Sequence, residues 1–314
     1  MLVFRGLGEL PPEQDPVALT IGNFDGVHLG HRAILDRLAA HASAVGGRPT
    51  VLTFDPHPQA VLRGHAPLAL VTAERKLELL EEAGVARVVV LPFDRPLSLV
   101  EPESFVTDVL VGKLGVRAVV VGANFRFGHR ARGDTPMLAS MGEALGFSFE
   151  AVPMSELDGR RLSSTEIRNA IGACDLAWSN RALGRPHRVP GRIVRGRGRG
   201  VGLGFPTANL EAPHGFCLPG LGIYAGYLLV EGQRLVSAIS VGTNPTYGEG
   251  NPVTLEAYAL DFTGDLYGEE GEVEFSAHLR PERAFATEAD LAEAIEGDVA
   301  EVRRLLRSSQ PFPR

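Results

Sequence analysis

The chain has 314 residues, 44% hydrophobic and 22% charged, the make-up of an ordinary folded protein with room for two cores at roughly 150 residues each. A net charge of −7 argues against a general nucleic-acid binder, which carries a basic surplus. The only cysteines, Cys174 and Cys217, are too few and too far apart for a disulfide framework or a cysteine zinc site and are read as buried free thiols.

The opening MLVFRGLGELPPEQ meets Arg5 and Glu9 before an apolar run reaches signal length. No later run approaches the ~20 residues of a membrane span, so a cytoplasmic location without membrane contact is expected. From Val17 to about Ile171 the runs VALTIG, PTVLTF, ARVVVLPF, RAVVVGANF and FSFEAVP each precede a helical-period segment. Near-continuous Val/Ile/Leu strands in that rhythm predict a parallel sheet covered on both faces, with ligands at the carboxyl ends of its strands. At RALGRPH a helix-stopping glycine meets Pro186, which sets the expected domain boundary at 185, giving domains of residues 1–185 and 186–314. GRIVRG, GIYAGYLLV, RLVSAISVG, VTLEAYALDF and EVEFSAHL then read as strands without helical period, Glu231-Gly232 as a hairpin turn, and the whole as a small antiparallel barrel. Thr287 to Leu306 is predicted helical, with Leu291, Ile295, Val302 and Leu305 near one face.

TIGNFDGVHLGH leaves the strand at Thr20-Ile21, turns, and enters a helix near His28. His28 and His31 are three apart and share one side of the first turn, Gly30 leaves no side chain between them, and the free N–H groups of a helix start attract anions. That notch suits a transferring phosphoryl group; solvated or metal-binding histidines are the plainer alternative. Late in the domain, RRLSSTEIRNAI pairs Ser163 with Glu166 as a capping box, so a helix should open at Ser163 or Ser164 and carry Thr165 and Arg168 in its first turns. FDPHP (Phe54, Pro56, His57) and GANFRFG (Asn124, Arg126, Phe127) also follow strands. They read either as a rigid turn and core rings or as contacts for a planar aromatic substrate bearing a phosphate. Lys76 and Lys113 are the only lysines, and each precedes leucine, so no phosphate loop ending in Gly-Lys-Ser/Thr exists. If the protein uses ATP, it grips the phosphates otherwise.

In the second half, GRIVRGRGRGVGLGFPTANL interleaves glycine with arginine and reads as a loop that either stays solvated or closes over phosphates. Thr207 and Asn209, two apart, should face one way in an extended segment and offer oxygen to a hard cation. Glu256 interrupts an apolar strand, with Leu255 and Ala257 directed to the opposite face. It is either a solvated carboxylate or the base that takes a proton from an alcohol attacking ATP.

GNFDGVHLGH resembles the HxGH signature of nucleotidyltransferases, and RRLSSTEIR the family's SSTxIR motif. With FDPHP, GANFRFG, the run ending GLGFPTANL, and LEAYALDFTGDLYG, the resemblance is to bacterial bifunctional riboflavin kinase/FMN adenylyltransferases, also called FAD synthetases, over residues 15 to 308. It implies a Rossmann-like α/β nucleotidyltransferase domain, then an antiparallel β-barrel kinase domain with a C-terminal helix. The barrel would phosphorylate riboflavin to FMN, and the first domain would adenylylate FMN to FAD and pyrophosphate. It further implies catalytic roles for His28, His31 and Glu256, and ATP contacts from Gly22, Asn23, Phe24, Gly30, Ser163, Ser164, Thr165 and Arg168. Flavin contacts would come from Phe54, Pro56, His57, Asn124, Arg126 and Phe127. Kinase ATP contacts would come from Gly198, Gly204, Pro206, Thr207 and Asn209, with Mg²⁺ at Thr207 and Asn209. The partners would be small molecules, not nucleic acid. A transferase for another acceptor, such as a cytidylyltransferase, and a non-catalytic flavin- or RNA-binding protein are the rival readings.

Overall fold

The computed structural model describes residues 1–11, 15–196, 205–243 and 253–307. By packing it divides into two compact units, Met1–Ser164 and Thr165–Arg314, about twenty residues ahead of the expected junction.

The first unit is built on strands β1 (Leu2–Arg5), β2 (Val17–Ile21), β3 (Arg48–Asp55), β4 (Arg87–Pro92), β5 (Val116–Gly122) and β6 (Ser148–Val152), ordered β1-β4-β3-β2-β5-β6. Every pairing is parallel. Helices α1 (Leu29–Ala44), α2 (Pro58–Arg63), α3 (Ala73–Glu82), α4 (Arg95–Ser98), α5 (Pro102–Ser104, continuing into a π-helical stretch, Phe105–Lys113) and α6 (Thr135–Leu145) lie between them. Alternation along β2 explains the two cores. Val17, Leu19 and Ile21 join Phe105, Leu110 and Leu138 on one face, while Ala18 joins Leu35, Leu38, Leu79 and Leu80 on the other. All five predicted strands form. The sequence reading passed over β1, a four-residue edge strand whose half-exposed LVFR has no clean period. Chain order reverses between β2 and β5, so the carboxyl end of β2 is the switch point, the place where open parallel sheets bind ligands.

A short antiparallel pair, β7 (Glu156–Leu157) and β8 (Arg160–Arg161), and the first residue of α7 (Ser164–Gly172) close the first unit; the second holds the rest of α7, then α8 (Leu176–Leu183), β9 (His187–Val194), β10 (Ala208–Glu211), β11 (Gly222–Val230), β12 (Gln233–Thr243), β13 (Val253–Ala259) and β14 (Glu270–Arg280). These six strands close into an antiparallel barrel in the order β10-β13-β12-β11-β14-β9, with β9 pairing back to β10. Asn180 of α8 ties that helix to the barrel, its amide donating to the Phe275 carbonyl and accepting from the His187 N–H, which is why α8 packs with the second unit. Glu231 and Gly232 adopt φ of 50° and 74° and join β11 to β12 with Val230 opposite Gln233, a two-residue hairpin of the kind that matches strand twist. The final helix, α9 (Glu288–Arg307), buries Val302 against Ala225 and Leu260, with Leu305 beside it. Its start is fixed by reciprocal bonds between Thr287 and Asp290.

Candidate active sites

At the carboxyl end of β2 the chain turns through Phe24, Gly26 and Val27, all at positive φ (51°, 81° and 39°). Two non-glycine residues in that region signal strain held by the surroundings, as is common where a loop must present function. Gly22 anchors the start of the turn by donating to the Leu52 carbonyl. His28 is the N-cap of α1, its Nδ1 accepting from the His31 N–H at 3.3 Å. A neutral imidazole accepting at Nδ1 carries its proton on Nε2. The two rings stack at 3.7 Å, and Phe24 packs on His31 at 4.9 Å. Burial, and then the neighbouring His28, push the His31 pKa well below 6.5, so this ring is neutral at pH 7. Its Nδ1 and the Asn23 Oδ1 are buried and make no hydrogen bond among the described residues.

Gly30 does not leave the open notch expected of it. A Cβ there would stand 3.2 Å from two atoms of the His28 ring and 3.3 Å from the Leu162 Cβ, so the glycine is needed because the His28 ring folds back over the helix start. Ser164 differs as well. Its hydroxyl donates to the Asp25 carbonyl at 2.9 Å, and that proton is committed to the turn. Thr165 and Arg168 follow along α7, and the helix opens at Ser164 as expected.

The loops after β3 and β5 are more structural than the sequence suggested. His57 caps α2, its Nδ1 accepting from the Gln59 N–H at 3.1 Å. Phe54 meets Phe93 edge-on at 5.5 Å, and Pro56 is exposed beside it. Phe127 lies in the core, stacked under Phe125 at 5.7 Å, because Gly133 leaves room for its ring. Asn124 is exposed, and Arg126 is held by Asp134 at 2.9 Å while that same carboxylate caps α6.

A lysine nevertheless stands beside the turn after β2. Lys76 Nζ reaches the Asn23 carbonyl (3.5 Å) and Thr53 Oγ1 (3.4 Å). The sequence holds a signal for this: Lys76 stands three and four residues before the buried Leu79 and Leu80, on the core stripe of α3.

In the barrel, β13 presents Leu255 and Ala257 inward, both buried, and Glu256 outward. The register sets Asn209 of β10 on one side of Glu256 and Ser240 of β12 on the other, so the three share a face. Thr207 Oγ1 donates to Glu256 Oε2 at 3.1 Å. Pro206 is exposed next to it, and Phe205 meets Tyr258 edge-on at 5.4 Å. A Cβ on Gly196 would fall 2.1 Å from the Asn209 amide nitrogen, so this glycine, two residues past the end of β9, leaves the room that the Asn209 amide occupies. Gly198 and Gly204 lie outside the described residues.

A histidine-capped helix at the switch point of a parallel sheet suits nucleotide phosphates, and a strand carboxylate bonded to a hydroxyl suits deprotonation of an alcohol. Proteins with both features fall among the transferases of phosphorus-containing groups. Residues 10–166 match the family model described as FAD synthetase, and residues 183–306 that described as riboflavin kinase. A bifunctional riboflavin kinase/FMN adenylyltransferase of Pseudomonas fluorescens is 38% identical, covering 98% of this chain and 99% of its own. That of Escherichia coli strain K12 is 35% identical, covering 99% and 100%. A solved chain titled a macrolide-efflux protein from Streptococcus pneumoniae shares the fold at a TM-score of 0.87 and 24% identity, covering 96% of this chain and 98% of its own; at that identity it speaks for the fold alone. The chain belongs to the family of bifunctional riboflavin kinase/FMN adenylyltransferases.

Proposed function

We propose that the two reactions of this family divide between the two halves of the chain, with the functional junction near residue 185. The barrel phosphorylates riboflavin with ATP to give FMN, and the parallel-sheet half joins FMN to the AMP portion of a second ATP, giving FAD and pyrophosphate.

In the barrel, Glu256 takes the proton of the terminal ribityl hydroxyl as its oxygen attacks the γ-phosphate. Thr207 orients that carboxylate through its hydroxyl proton. A hydroxyl has one proton and two lone pairs, so donation to Glu256 leaves the Thr207 oxygen able to face a cation. With the Asn209 amide oxygen this makes an all-oxygen pair of the kind Mg²⁺ accepts. When bound, Mg²⁺ neutralises charge on the ATP phosphates. Pro206, Gly198 and Gly204 are assigned to the same nucleotide.

In the first half the nucleophile is the phosphate of FMN, which is already ionised, so no protein base is required. Charge that develops on the α-phosphate is met by His28 Nε2–H, by His31, and by the Leu29 and Gly30 N–H groups, which make no hydrogen bond among the described residues. Ser163, Thr165 and Arg168 are assigned to the nucleotide phosphates, and Ser164 to fixing the turn. Gly22, Asn23 and Phe24 form the wall of this site, and Phe54, Pro56, His57, Asn124, Arg126 and Phe127 its flavin side. The observation that carries the reading is the stacked His28–His31 pair at the N-terminus of α1.

A cytoplasmic location and small-molecule partners only, without nucleic acid or membrane, complete the proposal. No helix among the described residues is long and apolar enough to cross a membrane. The test is a pair of full-chain variants assayed by chromatographic separation of flavins. His28→Ala should lose FAD formation from supplied FMN and keep riboflavin phosphorylation, and Glu256→Gln should do the reverse. Equal loss of both reactions in folded variants counts against two independent centres.

A further inference from the structure

The turn that delivers the two histidines has to be held in a conformation its own residues resist. Phe24 and Val27 are left-handed non-glycine residues, and such a backbone persists only where contacts from outside over-determine it. One contact comes from Ser164 to the Asp25 carbonyl, and another from the Asp25 carboxylate to the Leu70 N–H at 3.1 Å. The third is a charge. Lys76 runs its stem along the core side of α3 and brings its ammonium to the Asn23 carbonyl and to Thr53 Oγ1, which itself donates to the same carbonyl at 3.4 Å. Asn23, Thr53 and Lys76 thus form a closed triangle between the carboxyl ends of β2 and β3. Thr53 is fully buried, and a cation brought into such a place is costly unless opposite charge accompanies it. The carboxylates of Asp25, from the turn, and Asp55, from β3, supply that charge, and burial nevertheless leaves the ammonium with a pKa below its ordinary 10.5.

We propose that Lys76 is the positioning residue of the adenylyl-transfer site: its ammonium holds the Asn23 carbonyl, and through it the strained turn that sets His28 and His31. The inference rests on the reading of those histidines as the phosphate-facing pair. The path is short. Asn23 precedes Phe24, the Phe24 ring packs on His31, and His31 stacks on His28. Unlike a guanidinium, an ammonium fits between a carbonyl and a hydroxyl as a compact point charge, which accounts for a lysine here in a chain that has only one other.

The test uses the full chain with FMN and MgATP supplied. Lys76→Met keeps the stem and removes the charge. It should lower kcat for FAD formation tenfold or more with KM for FMN and for ATP within twofold, while riboflavin phosphorylation is unchanged. The wild-type kcat should also fall at alkaline pH, below the ordinary lysine range, and Lys76→Met, which removes the ammonium facing the Asp25 and Asp55 carboxylates, should lack that limb. A kcat within twofold of wild type, or an alkaline limb that persists in Lys76→Met, overturns the proposal. So does a rise in KM for FMN at constant kcat, which would make the ammonium a ligand of the acceptor phosphate. If Lys76→Met does not fold, Thr53→Val decides: a threefold or larger drop in kcat at constant KM supports the triangle, and an unchanged kcat overturns it. His28→Ala, run alongside, separates the two levels, because full FAD formation by that variant removes the reading of the site itself and the proposal with it.

Discussion

Replacing Gly30 by alanine sets helix propensity against site geometry. Alanine is favoured over glycine in a helix by up to about 1 kcal/mol, so the first unit should melt no lower than wild type. The added methyl, however, would sit 3.2 Å from Cε1 and Nδ1 of His28 and 3.3 Å from the Leu162 Cβ, and its neighbours must give by a few tenths of an ångström. Both neighbours are buried, but the Leu162 contact is a Cβ fixed by its backbone, whereas the His28 contact is a ring free to turn about its side-chain bonds, so the ring moves. A misplacement of about 1 Å in a catalytic array costs roughly a hundredfold, and complete loss of one charge-stabilising donor about 10² to 10³. A shift of a few tenths should then cost FAD formation about tenfold or more. The assay is the initial rate of FAD and pyrophosphate release from FMN and MgATP, with riboflavin phosphorylation measured in the same preparation and thermal melting followed by circular dichroism. Wild-type adenylyl transfer by a folded Gly30→Ala protein would refute the account of why this residue is glycine. Loss of activity only in parallel with loss of melting temperature would refute it equally.

Thr207→Val removes the hydroxyl that donates to Glu256; a hydrogen bond to a charged group contributes about 1.5 to 3 kcal/mol, so riboflavin phosphorylation should fall roughly ten- to a hundredfold while FAD formation from supplied FMN holds. Gly196→Ala places a methyl on the Asn209 amide at 2.1 Å and should lower the same reaction, read as a raised requirement for Mg²⁺. His187 is buried between Phe216 and Phe275 with Nε2 on the Cys217 carbonyl, and burial lowers its pKa to about 4. The unfolded chain therefore takes up the proton first as pH falls. Stability present above pH 6.5 should decline by about 3 kcal/mol down to pH 4 in the second unit, and His187→Phe should flatten that slope in melting curves.

What could be read from the residues alone was whatever depends on near neighbours in the chain. The strand alternation that turns Glu256 away from Leu255 and Ala257, the glutamate–glycine hairpin turn, the helix opening beside His28, and the i, i+3 pairing of the two histidines all follow from local backbone periods, which need no knowledge of the rest of the fold. Tertiary structure decided what fills the space around them. The His28 ring, not a ligand notch, lies over Gly30; His57 and Ser164 commit ring nitrogen and hydroxyl proton to the backbone; Phe127 belongs to the core because Gly133, six residues on, leaves room for it. Lys76 is separated from Asn23 by more than fifty residues, and only the packing of α3 against β2 and β3 brings them together. Side-chain type and spacing fix which chemistry is available. Which polar atoms remain available for it depends on burial and on partners distant in sequence, which only the folded chain supplies.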